Sequence, residues 1–276
     1  MLEVTLLKIA HGTAEDAKKM FPYLRDCHVY SQENALASEE RAVLCENEHE
    51  DDLSSNEKKE NFFKEVNKLL KYRTSNLEHI YEHFDIEETR FLFDKNIPLW
   101  HLERFTTEKA KALKVRLNKI EDKMNEAFTN LLNGKIDLYL KDVAFYFNGM
   151  SEITIARDQE IARNIVEAED RIRQRYPLLR NVDPLRLMGS IGHLHTPEEV
   201  TSRVKVILIE NYDHDLFCSL MSNYIRSKKT EETFTDEPAL LRFGLYGLDC
   251  TKEYIEKLSD QKLFEALYNV VASGRR

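Results

Sequence analysis

The sequence predicts an α/β fold: a short-stranded mixed sheet flanked by long helices, helix-rich, with a helical insertion. Three observations lead there. Short apolar runs containing β-branched residues alternate with long stretches of helical apolar spacing. Gly and Pro are scarce, at 8 and 6 in 276 residues, which suits long helices and disfavours an all-β design built on tight turns. The chain is 42% hydrophobic and 32% charged, enough to bury a core beneath a well-charged surface.

Val4 to Ala10 (VTLLKIA) reads as a buried strand ending at His11-Gly12-Thr13, and a helix carrying Ala17, Met20, Phe21 and Leu24 on one face follows. Cys27 to Tyr30 reads as a second strand, delivering Ser31-Gln32-Glu33. Residues 46–52 (ENEHEDD) hold five acids in seven positions and read as a solvated loop, with nothing to hold His49 as a ligand. Ser54-Ser55-Asn56-Glu57 has capping-box spacing, and Phe63, Val66, Leu70, Leu77, Ile80 and Phe84 continue at helical spacing. Asn96 to Glu103 is a strand candidate with Pro98 near its start.

Thr106-Thr107-Glu108 caps a helix whose stripe of Ala110, Leu113, Leu117, Ile120, Met124 and Phe128 ends at Asn133-Gly134. A further helix covers about 154–176, with Ile161, Ile165, Ala168 and Ile172 on one face. Leu185 to Ile191 and Val204 to Ile209 read as strands, and helices are expected near 213–227, 237–246 and 252–272. With no repeat and no low-complexity linker, the organisation expected is one domain over 1–276, with a largely helical insertion over 46–133 that includes a strand near 96–103.

No apolar run approaches the roughly 20 residues that span a bilayer. Met1-Leu2-Glu3-Val4 reads as the start of a strand rather than a signal peptide, so a cytoplasmic location is expected. Cys27, Cys45, Cys218 and Cys250 are scattered without a CxxC pair and read as reduced structural thiols. A net charge of −9 argues against nucleic acid as a partner. The long amphipathic helices over 57–84 and 107–132 offer a homodimer or partner face, or pack onto their own core.

There is no P-loop, no GxGxxG, no HExxH and no GxSxG. What stands out is a set of polar residues after strand ends, where open α/β sheets bind ligands: His11, Glu33, Glu103 and His193. Arg157 extends the apolar face of Ile161 and Ile165 by one turn, so its guanidinium must be paired, with Glu33, Glu103 and Asp158 as the acids in reach. Such a pair either ties helix to sheet or orients a catalytic carboxylate or substrate oxyanion. His193 and His195 share a face if extended, and with a carboxylate could hold a metal; otherwise Thr196 caps a helix begun by Pro197-Glu198-Glu199.

These pieces, in this order over about residues 4–209, resemble the TraB/Tiki/ChaN-like superfamily, which includes erythromycin esterase-like hydrolases. His11-Gly12-Thr13-Ala14-Glu15 resembles its opening histidine motif, and Glu33 sits where its second strand carries an acid. Ile97-Pro98-Leu99-Trp100-His101-Leu102-Glu103 is similar to its proline-containing strand ending in Leu-Glu. Ala156-Arg157-Asp158-Gln159-Glu160-Ile161-Ala162 resembles its arginine-bearing helix start, and Ser190-Ile191-Gly192-His193-Leu194 its late strand end.

The resemblance implies a hydrolase acting on a peptide or other acyl compound. His11, Glu33, Arg157 and His193 would be catalytic, and Glu15, Glu103 and Asp158 would contact substrate. In a metal-using, peptidase-like form His11, Glu33 and His193, or His195, would hold a divalent ion (Mn, Co or Zn). In an esterase-like form no metal is used, and His11 acts as general base oriented by Glu33 or Glu103. Lys8 in place of a motif Gly, and Ala156 in place of an acid, favour a third reading: a non-catalytic binding or regulatory protein on the same fold.

Overall fold

Leu2, Val4 and Leu6 alternate along the first strand and turn their side chains to one side of a sheet, where Leu185, Leu187 and Ile191 stand beside them. The computed structural model describes residues 1–9, 23, 25–32, 36–61, 63–64, 92, 95–192, 205–210 and 237–273. Five strands form the sheet: β1 (Leu2–Ile9), β2 (Val29–Gln32), β3 (Leu99–His101), β4 (Leu185–Gly192) and β5 (Lys205–Glu210). Their order is β3-β2-β4-β1-β5.

The α/β class and the short strands are as the sequence predicts. The pairing is not mixed: every described pair, β1 with β4 and β5 and β2 with β3 and β4, runs parallel. Short apolar runs specify strand positions but carry no direction; helical crossovers impose parallel pairing. Both faces are buried, as a parallel sheet requires, with Leu7, Tyr30 and Met188 enclosed opposite the Leu2–Val4–Leu6 face.

The described helices include α1 (Glu39–Ser54), α2 (Thr107–Leu132), α3 (Ile136–Arg175), α4 (Glu237–Gly247), α5 (Lys252–Glu256) and α6 (Asp260–Ala272). By internal contacts the chain divides into two compact units, Met1–Ala110 with Arg157–Asp213 and Lys111–Ala156 with His214–Arg276. The single domain with an insertion over 46–133 is a different division of the chain.

In the first unit the α3 stripe of Ile161, Ile165, Ala168 and Ile172, spaced four, three and four, packs on Leu2, Val4, Leu6, Val29, Trp100 and Leu102. Each fully buried isoleucine contributes about 1.5–3 kcal/mol of transfer free energy. Residues 46–52 are helical, as part of α1, which corrects the expected solvated loop. Ser38 caps it through Arg41 N, and Glu39 and Glu40 sit in its first turn, where the helix dipole favours acids. Glu46 is buried rather than solvated. Its counter-charges come from Arg104 and Arg175, too far away in sequence for local charge counting to reveal.

In the second unit α2 ends as predicted. Gly134 takes a φ of 73°, Lys135 N donates to Asn130 O and Gly134 N to Leu131 O, which together form a Schellman motif. α3 begins at Ile136, well before the expected 154. Gly149, which weakens the helical signal, lies where a Cβ would come within 2.4 Å of the Ile120 side chain, so a close approach of α2 requires it. Tyr139 donates from its hydroxyl to Leu240 O, and Phe128, Phe147 and Phe243 pack in tilted and edge-on pairs. The single helix expected over 252–272 is two, α5 and α6, with Ser259 at the start of the second.

Candidate functional site

The site region is the carboxyl edge of the sheet. β1 continues in the chain to β2 on one side, while β4 continues to β5 on the other, and β1 and β4 are neighbours. Their carboxyl ends, paired Ile9 with Gly192, therefore lie side by side, and the chain leaves these two neighbouring strands in opposite directions across the sheet. His11 stands two residues beyond Ile9 and His193 one beyond Gly192. Both lie outside the described residues, as do Glu15, Glu33 and His195.

Three predicted site residues are described. Glu103 follows β3 and is wholly buried, while Arg157, on α3, is 13% exposed in its side chain. Arg157 Nε and Nη2 each lie 2.7 Å from Glu103 Oε1. Leu36 N donates to Glu103 Oε2 at 2.6 Å. Both carboxylate oxygens are thus engaged by donors, which suits an anchor. Asp158 is half-buried on α3 beside Arg157.

Further polar side chains of α3 hold the segment leaving β3. Asn164 Nδ2 donates to Leu102 O at 2.8 Å, and Arg163 Nη2 donates to Arg104 O at 3.1 Å and pairs with Glu160. A strand end leaving its ladder must find such partners for its carbonyls.

A second polar centre escaped sequence reading. Glu46 pairs with Arg104, accepts His101 N at 2.8 Å and lies 3.1 Å from Arg175 Nη1. Arg104 also meets Glu39 at 3.0 Å and stacks 3.8 Å above the Trp100 ring. Burial pushes the Glu46 carboxyl up, and the two guanidiniums pull against it. One signal was legible: Glu39, Glu46 and Glu50 are spaced seven and four, which is one helix face. His49 is part-buried with Nε2 against Ile97 O at 2.9 Å, and burial lowers its pKa.

Among the described residues no group of three or more His, Cys, Asp or Glu stands together as a metal site. Comparison with protein-family models, with curated proteins and with solved structures finds no match to this chain. Among the described residues no helix is long and apolar enough to cross a membrane.

Proposed function

We propose that the chain is a cytoplasmic hydrolase resembling TraB/Tiki-type peptidases, with water activated at the adjacent carboxyl ends of β1 and β4. The observation that carries this reading is the strand order. The two histidines that the sequence singles out follow the two strands whose carboxyl ends lie side by side, where open α/β sheets bind ligands. A second support is the part-buried Arg157–Glu103 pair beyond β3, on the same edge of a parallel sheet. Such a frame holds loops that carry chemistry.

In this mechanism His11 takes a proton from water as it attacks the acyl carbon, and Glu33 orients the imidazole. His193 returns a proton to the leaving group. Arg157 and Glu103 belong to the frame of the site. If a divalent metal binds, His11, Glu33 and His193 or His195 would hold it, and it would lower the pKa of bound water.

The test is turnover of a mixed peptide library and a panel of aryl esters by the wild type, His11→Ala and His193→Ala, each with and without chelator. The expected result is turnover that both substitutions abolish. Loss on chelation, restored by Mn, Co or Zn, assigns the peptidase-like form; indifference to chelation assigns the esterase-like one. Turnover retained in His11→Ala overturns both. A folded wild type that turns over nothing leaves a binding protein on this fold.

A further inference from the structure

Beyond Gln32 the chain takes six steps to reach Ser38, whereas its partner takes four from His101 to Phe105. Both ends are in parallel register, Gln32 with His101 and Ser38 with Phe105. The chain on the β2 side is therefore two residues longer than its partner between the two paired points.

At the far end of this stretch Leu36 has a φ of 58°. The left-handed region costs a bulky residue roughly 1–2 kcal/mol, and it persists only where the surroundings over-determine it. Leu36 is 1% exposed, so its side chain is locked in the core. Its backbone is locked as well. Leu36 N donates to Glu103 Oε2 at 2.6 Å, Phe105 N to Ala37 O at 3.0 Å and Glu39 N to Phe105 O at 2.9 Å. The Glu103 carboxylate thus stands in for the carbonyl that a regular ladder would supply. Arg157 holds its other oxygen with two nitrogens, so the carboxylate cannot turn away.

We propose that Glu103 and Arg157 are positioning residues: they clamp the left-handed turn at Leu36 and through it aim the segment that starts at Glu33. Aiming Glu33 has a purpose only on the hydrolase reading, on which that part rests; the clamp on Leu36 stands without it. The chemistry demands a carboxylate. Both neighbours are donors, and a carboxamide offers one acceptor and one donor, so glutamine serves one neighbour only.

The experiment is residue-resolved amide exchange of the full chain for the wild type, Glu103→Gln and Glu103→Gln/Arg157→Met, with turnover measured on the same samples. In Glu103→Gln the Leu36 amide should exchange on the order of 100-fold faster, while Leu6 and Leu187 change little. Adding Arg157→Met frees the carboxamide oxygen for Leu36, and at least about tenfold of the protection should return. Turnover should fall and recover in parallel.

Leu36, Leu6 and Leu187 accelerating together, with no recovery in the double variant, would mark the pair as general core glue and overturn the clamp. Recovery of Leu36 with turnover indifferent to both changes would overturn the aiming role. Absence of turnover in the wild type overturns the hydrolase reading and leaves the clamp standing. Should Glu103→Gln not fold, Arg157→Lys replaces the planar fork by a single ammonium and should raise Leu36 exchange about tenfold with Leu6 unchanged.

Discussion

Glu46 on α1 and Arg104 beyond β3 form an ion pair in which the carboxylate side chain has no exposure and the guanidinium 2%. Charges buried this far are held by each other and by the groups around them: His101 N and Arg175 on the acid, Glu39 and the Trp100 ring on the base. Removing one partner strands the other. Arg104→Met should destabilise the chain by about 3–5 kcal/mol, whereas Glu46→Leu/Arg104→Met should cost far less. Urea unfolding of both variants and the wild type checks this. Equal losses in the single and double variants would count against a coupled pair.

His28 joins β2 to β4 beyond their ladder. His28 N donates to Arg186 O at 2.9 Å, and Arg186 N donates to His28 Nδ1 at 3.0 Å. An imidazole accepting at Nδ1 is neutral. Burial first, and then the Arg186 charge, hold its pKa below the ordinary value. The stability it contributes is therefore fully present above the unfolded value of about 6.5 and is lost as pH falls through the folded one. Urea midpoints at pH 7.5 and pH 5 should differ less in His28→Asn, whose side-chain oxygen still accepts, than in the wild type. An unchanged pH dependence would remove His28 from the account.

Burial pushes the Cys27 thiol up to about 12. Only the thiolate reacts with alkylating agents, so Cys27 should be modified at pH 8 at least about 100-fold more slowly in the folded chain than in urea. Peptide mapping after iodoacetamide treatment measures it. Comparable rates in both states would show that the half-buried side chain meets solvent more freely than its surroundings imply.

Gly134, at a φ of 73° with no heavy atom within 4 Å of an added Cβ, is set by backbone conformation alone. Gly134→Ala should cost about 1 kcal/mol, while Gly134→Asn, which tolerates the left-handed region, should cost less. Thermal unfolding ranks the three. Alanine matching glycine would mean that the Schellman turn relaxes at no cost.

Several of these features could be read without coordinates. The alternation of Leu2, Val4 and Leu6 marks β1, and the four-three-four spacing of Ile161, Ile165, Ala168 and Ile172 marks the buried face of α3. Both are one-dimensional signals, because strand and helix periods are written along the chain. Arg157 also declared itself, since a guanidinium on an apolar face needs an acid. Which acid was not legible: Glu33, Glu103 and Asp158 were equal on paper, and the pairing with Glu103 depends on where α3 crosses the end of β3.

The misreadings share a cause. Residues 46–52 look solvated because their own neighbourhood holds no counter-charge, yet Arg104 and Arg175 arrive from elsewhere in the chain. The early start of α3 was hidden by Gly149, a poor helix former whose reason is Ile120 on another helix. The left-handed backbone at Leu36 has no sequence signal, because nothing about leucine requests it.

Class, strand positions, buried stripes and caps were thus determined by the sequence itself, through local propensity and periodicity. The parallel strand order, the partner of Arg157 and the clamp on Leu36 were decided only by tertiary structure. Each depends on distances between segments far apart in the chain, and a charge or a donor is stabilised by whatever stands next to it in space.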